Sequence, residues 1–187
     1  MRQEVVSSFR SQYSANAPKL QRSKLQVRKS EIAGSGVFAS QQIPAATVIL
    51  EYVGELVRPH VADKREQEYT QEGKEMYFFK LDEERIIDAT CAGSISRLIN
   101  HSCDPNAFSL TVQTDADDPS SNKVRVMHGA CSRAMANELT EAWHMQILII
   151  AKRAIEPGEE VSYDYYTSAG EYTQRCKCGA ENCRGYL

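Results

Sequence analysis

Near the middle of the chain, Asn100, His101, Ser102 and Cys103 set an amide, an imidazole, a hydroxyl and a thiol in four consecutive positions. A hydrophobic element can bury such a run only if every one of those groups finds a partner. The stretch from Arg97 to Asn106 is therefore either a polar loop closing a helix or the lining of a site. The far end of the chain favours the second reading. There Ser162, Tyr163, Asp164, Tyr165 and Tyr166 are followed by Cys176, Cys178 and Cys183, whose chemistry matches that of the central run.

The three late thiols have the short spacings of a zinc site, and Gly179 relieves the turn between them. Three thiolates leave a tetrahedron incomplete. Cys103 is the nearest fourth ligand, because Cys91 and Cys131 lie in segments without metal-like spacing. A structural zinc held by Cys103, Cys176, Cys178 and Cys183 would pin the tail over the central stretch. A disulfide framework is not expected. No apolar run approaches the roughly 18 to 20 residues of a membrane span, and Met1-Arg2-Gln3-Glu4 lacks the apolar core of a signal peptide. An intracellular protein follows as the expectation, and thiols there stay reduced.

Charge is spread unevenly. Residues 1–29 hold seven Lys or Arg against one Glu, which leaves 15 basic and 24 acidic side chains for the rest of the chain. An acidic body suits a basic peptide better than a phosphate backbone, so direct nucleic-acid binding is not expected beyond the basic arm. With 187 residues, 42% of them hydrophobic, the chain can bury a core as one domain with appendages. Residues 1–23, rich in Ser, Gln, Arg and Ala without periodicity, read as a flexible N-terminal arm.

Between these landmarks the pattern is mainly β with short helices. Residues 25–28 alternate like a strand, and Gly34-Ser35-Gly36 reads as a bend between strands. Residues 48–57 form one β-rich run ending before Arg58-Pro59, and a charged helix spans residues 61–72 with Gly73 as its stop. Residues 77–81 and 85–88 flank an acidic turn as a hairpin would. Gly93 and Ser94 open a short helical turn that delivers Asn100 and His101 at its exit. Strands are expected at residues 108–112, 124–127 and 147–151 and leading into Tyr165. Met135, Leu139 and Trp143 mark an amphipathic helix over residues 131–143.

Taken in order, Gly34-Ser35-Gly36, Glu51-Tyr52-Val53-Gly54-Glu55, the run Arg97 to Asn106, Gly158-Glu159-Glu160-Val161-Ser162-Tyr163-Asp164-Tyr165 and the cysteine tail resemble the SET-domain protein lysine methyltransferases with a post-SET zinc module. Glu55-Leu56-Val57-Arg58, Ala62-Asp63-Lys64-Arg65-Glu66 and Ile87-Asp88-Ala89-Thr90 are similar to the trithorax and Set1 branch. The resemblance implies a SET-domain β-clip fold over residues 24–168, with an inserted segment at 113–145 and a zinc-bound post-SET module at 169–187. It further implies that residues 97–106 are threaded, as a pseudoknot, beneath the strand leading to Tyr163.

The implied activity is S-adenosylmethionine-dependent methylation of a lysine, with lysine 4 of histone H3 as the best-matched target and the nucleus as location. Carried over by motif, Tyr165 is the catalytic tyrosine, Tyr163 limits the number of methyls, and Tyr77 lines the lysine channel and touches the cofactor. Asn100 and His101 bind the amino-acid end of the cofactor, with Ala33, Ser35 and Lys177 beside it. Histone H3 and a core complex of WD-repeat and SPRY proteins are the implied partners. These residue types suit the chemistry. The sulfonium is already activated, so alignment is the main task. Lysine attacks only when neutral, and its ordinary pKa of about 10.4 falls in a desolvating channel beside a fixed cation. Tyrosine rings accept its aliphatic stem while their hydroxyls orient the amine.

The sequence departs from the family pattern at Leu98, where Phe is usual, at Ala107, where the branch often has Cys, and at Ala33 and Ser35, which are smaller than usual. Three other readings remain open: a methyltransferase for another lysine, a non-catalytic chromatin module that binds a lysine peptide, and a zinc-stabilised nucleic-acid binder using the arm.

Overall fold

The computed structural model describes residues 24–113, 145–165 and 174–187. Strand β1 (Leu25–Lys29) turns back on β2 (Ser35–Ala39) as an antiparallel hairpin in register from Leu25 opposite Ala39 to Lys29 opposite Ser35. Gly34 makes the turn at φ 45°, a region that L side chains avoid. Next come β3 (Val48–Tyr52), β4 (Glu55–Val57), helix α1 (Pro59–Gln71), β5 (Phe78–Lys80) and β6 (Ile86–Asp88). A 3-10 turn (Ile95–Leu98) leads to β7 (Asn100–His101), β8 (Ala107–Gln113), β9 (Met145–Ala151) and β10 (Ser162–Tyr163). One sheet has the strand order β3-β9-β8 and another β4-β6-β5.

The β-rich run at 48–57 is two strands rather than one. Gly54 lies in the break, where a Cβ would come 2.6 Å from the carbonyl oxygen of Asp88. That close backbone approach ends β3 and lets β4 join β6 instead. The helix begins two residues before the expected start, with Pro59 preset at its first turn. It ends where expected: Gly73 at φ 64° and Lys74 donate their N–H groups to Thr70 and Tyr69 in a Schellman closure. The arm at 1–23, the strand at 124–127 and the amphipathic helix at 131–143 lie outside the described residues. No helix among the described residues is long and apolar enough to cross a membrane.

Among the described residues two compact units are separable, one of residues 51–97, 111–113 and 145–147, the other of residues 24–50, 98–110, 148–165 and 174–187. In the former, α1 docks on β6 through polar groups. Asp88, 2% exposed, accepts from Arg65 Nη1 at 2.8 Å, from Tyr69 Oη at 3.0 Å and from Thr90 N at 2.9 Å. Arg65 also grips Glu55 with both Nη atoms, at 2.9 and 3.0 Å. A buried carboxylate is tolerated because three donors replace its water.

In the other unit, Val37, Ile99, Ile149, Ile150, Ile155 and Val161 are fully buried. Val161 N donates to Val37 O at 2.8 Å and Ala39 N to Glu159 O at 2.9 Å, so the segment after Gly158 lies along β2. Asn106, 2% exposed, ties this segment to the central run. Its Nδ2 donates to Glu159 Oε1 at 2.9 Å and Glu160 O at 2.8 Å, while its Oδ1 accepts from Ser162 N at 2.9 Å. Removing that amide orphans a buried backbone N–H and a carbonyl. Asn106→Ala is therefore expected to cost about 2 to 4 kcal/mol, read as a thermal midpoint lowered by roughly 5 to 15 °C. A midpoint within a degree or two of the parent would show that this amide does not carry the junction.

Candidate active site

The polar run pairs with the late tyrosine segment. β7 and β10 pair in parallel, Asn100 opposite Ser162 and His101 opposite Tyr163. The register continues through Ser102 N donating to Tyr163 O at 3.2 Å and Tyr165 N to His101 Nδ1 at 3.2 Å. The Tyr165 hydroxyl donates to Ile99 O at 2.7 Å. Four of the expected residues, Asn100, His101, Tyr163 and Tyr165, are thereby assembled from two distant parts of the chain. The rings of Tyr163 and Tyr165 lie 4.9 Å apart at 47°, the first buried and the second 38% exposed. With its proton donated to Ile99 O, the Tyr165 hydroxyl ties the segment carrying it to the segment before β7.

His101 is buried and neutral. Burial lowers its pKa, and although Asp164 Oδ1 lies 3.6 Å from Nδ1 and pulls the other way, that nitrogen already accepts the Tyr165 N–H. The proton thus sits on Nε2, 3.3 Å from Cys103 Sγ, as the hydrogen-bond network assigns it. Both ring nitrogens are spent on structure, so His101 acts by fixing Tyr165 and Cys103. Asp164 has another partner: Arg184 from the tail holds it with two bonds of 2.8 and 2.9 Å.

Asn100 meets the glycine turn. Its Nδ2 lies 3.2 Å from both Ala33 O and Ser35 O, and 2.7 Å from Glu160 Oε1. The Glu160 carboxylate accepts from Ser30 Oγ at 2.8 and 2.9 Å. Gly36 gives it room, since a Cβ there would overlap the carboxylate. The sequence assigns no role to Ser30 or Arg184, which lie outside every motif, nor to Glu160 and Asp164, which stand within the Gly158 to Tyr165 motif without a part of their own.

The four cysteines converge. The sulfurs of Cys103, Cys176, Cys178 and Cys183 all lie within 4.8 Å of one another, with Cys103 3.9 Å from both Cys176 and Cys183. A tetrahedral zinc with Zn–S of about 2.3 Å separates its sulfurs by about 3.8 Å, so the set fits that ion. Backbone N–H groups face the sulfurs, from Arg184 to Cys103 at 3.4 Å, Gly185 to Cys183 at 3.3 Å and Cys103 to Cys178 at 3.5 Å. Such donors support bound thiolates. Burial pushes the Cys176 thiol up to about 12. At Cys178 burial also pushes upward, but the N–H groups of Cys103 and Ala180 together with hydrogen bonds from the Cys176 and Cys183 thiols outweigh it and bring the thiol to about 6. Lys177, between two of these thiols, is exposed. Cys91 stands outside the cluster, 3.5 Å from Tyr69 Oη.

Tyr77 belongs to the unit containing α1 and is described within it. Its hydroxyl donates to Glu75 Oε2 at 2.6 Å, and the Arg97 guanidinium sits 5.5 Å from its ring centre. Burial, and then the bond to Glu75, push its pKa up to about 12, so the phenol stays protonated.

Residues 34–166 match the SET-domain family model. Over 168 residues, 89% of this chain, the sequence is 35% identical to the histone-lysine N-methyltransferase trr of Drosophila melanogaster. It is 40% identical over 169 residues to the histone H3-lysine(4) N-trimethyltransferase ATX1 of Arabidopsis thaliana, again 89% of the chain. Over 173 residues, 92% of the chain, it is 35% identical to the H3 lysine-4 specific histone-lysine N-methyltransferase of Schizosaccharomyces pombe. The matched segments amount to 6%, 13% and 16% of those proteins. The family model spans most of the chain, including the β7–β10 pair and the glycine turn that meets it, and the chain belongs to the SET-domain family.

Proposed function

We propose that this chain is the catalytic part of an S-adenosylmethionine-dependent protein lysine N-methyltransferase, acting on the N-terminal tail of histone H3 with lysine 4 as target, in the nucleus. The observation that carries the reading is the meeting of Asn100 and the glycine turn with Tyr163 and Tyr165 on one strand pair. In that arrangement Asn100, with the backbone around Ala33 and Ser35, receives the amino-acid end of the cofactor. His101 holds this wall in place. Tyr163 and Tyr165 take the lysine side chain, the channel role of Tyr77 follows from its motif alone, and Lys177 lies on the tail that borders the cofactor. The choice of histone H3 lysine 4 rests on the specificity for which the Arabidopsis and fission-yeast relatives are named.

The reaction needs no added base. The neutral lysine nitrogen forms a bond to the methyl carbon while the carbon–sulfur bond breaks and its electron pair returns to sulfur. The cofactor leaves as a neutral thioether, and the methylated ammonium gives up its proton to water. Positive charge moves from sulfur to nitrogen, so the protein's share is to align and to keep the amine uncharged. A structural zinc in the four-thiol cluster would anchor the tail, with Arg184 adding its grip on Asp164. Partnership with WD-repeat and SPRY proteins is part of the same proposal.

Incubation with labelled cofactor and histone peptides, each lacking one lysine, tests the target: omission of lysine 4 alone abolishes label transfer, and a loss that follows another lysine overturns that choice. Tyr165→Phe leaves cofactor affinity nearly unchanged but lowers kcat by on the order of 100-fold; a variant that keeps both peptide binding and turnover points instead to a lysine-binding module. Tyr163→Phe enlarges the end of the channel, so mass spectrometry of the product shifts from monomethyl toward dimethyl and trimethyl peptide, and an unchanged product pattern removes Tyr163 from that role. Chelation releases zinc and abolishes cofactor binding, and added zinc restores it; a metal-free chain with full turnover contradicts the anchoring role.

A further inference from the structure

Asn100 carries two N–H bonds, and three acceptors crowd its Nδ2: the carbonyls of Ala33 and Ser35 and the Glu160 carboxylate, the last at 2.7 Å. Among the described residues no donor reaches its Oδ1. An amide side chain can rotate by half a turn at little cost in shape, exchanging a donor for an acceptor. Which face it offers a ligand is therefore set by its surroundings. Two carbonyls alone define the donor side weakly, whereas a carboxylate makes a shorter and stronger bond.

Glu160 is itself fixed. Ser30 Oγ donates to it, lying 2.8 and 2.9 Å from its two oxygens, while the same Oγ accepts the Ile32 N–H at 2.9 Å. The hydroxyl thus ties the carboxylate to the hairpin turn. Gly36 completes the cradle, because a methyl group there would strike the carboxylate and approach the Ser30 Cβ at 3.1 Å. We propose that Glu160, clamped by Ser30 in the space left by Gly36, is a positioning residue that locks the Asn100 amide with its carbonyl oxygen toward the bound cofactor, selecting ligands that bring an α-ammonium donor.

This proposal rests on the reading of Asn100 as a cofactor contact. Its test compares two probes by calorimetry: S-adenosylhomocysteine, which keeps the α-ammonium, and its deaminated analogue, which lacks it. The wild-type chain prefers the ammonium form by about tenfold or more, the worth of a hydrogen bond to a charged group. In Glu160→Ala the amide is free to turn, and the preference falls toward one while the affinity for the deaminated analogue is retained. Glu160→Gln keeps an acceptor for Nδ2 and a donor for Ser30, so the preference survives. Loss of preference in Glu160→Gln would mean that charge, not orientation, is recognised, and would overturn the proposal. So would a preference undiminished in Glu160→Ala. Gly36→Ala, which keeps the carboxylate but displaces it, reproduces the loss and decides the matter should Glu160→Ala fail to fold. A wild-type chain that binds neither probe would instead refute the cofactor reading itself.

Discussion

The register of β7 against β10 is the constraint on which the site depends. Two residues on each side make a pairing too short to hold itself, since even an isolated hairpin is marginal in water. A slip of one residue would send Tyr163 to the opposite face and carry Tyr165 away from Ile99 and His101. The register is kept from outside the pair. Asn106 binds Ser162 N and Glu160 O on one flank, and Arg184 holds Asp164 on the other. The cysteine cluster then joins Cys103, two residues past β7, to the tail that carries Arg184.

Seen this way, the polar run of residues 100–103 is neither loop nor ordinary core. Asn100 is engaged by Glu160, His101 by Tyr165 N and Cys103, Ser102 Oγ by Asp104 N, and Cys103 by the other thiols. Each group that would be costly to bury has a partner, and each partner lies on a segment that the site needs nearby. Satisfying the polar atoms and assembling the site are one event. The same economy appears around Asp88, where the donors that allow its burial also dock α1 on β6.

Local signals gave the hairpins, the helix with its glycine stop, and the strand at β9, because periodicity and turn chemistry act over a few residues. The roles of Asn100, His101, Tyr163 and Tyr165 come from the order of motifs and the four cysteines from their spacing, and these residues gather in space. What stayed hidden depended on distant partners. The break at Gly54 answers to the backbone of Asp88, and nothing in the run of β-formers around it announces that neighbour. Glu160 shows its role only beside Ser30 and Asn100, and Arg184 only beside Asp164. His101 shows the converse, since its motif named it while its ring turned out to be occupied on both nitrogens.

Charge balance links these details to the proposed chemistry. A carboxylate standing alone beside the tyrosines would stabilise an ammonium and keep a lysine protonated, opposing its attack. Asp164 is the acid closest in sequence to Tyr163 and Tyr165, and it is engaged by the Arg184 guanidinium in a bidentate pair. His101, neutral by burial, adds no charge of either sign. Because Arg184 directly follows Cys183, the clamp that shapes the tail also brings the cation that offsets this carboxylate.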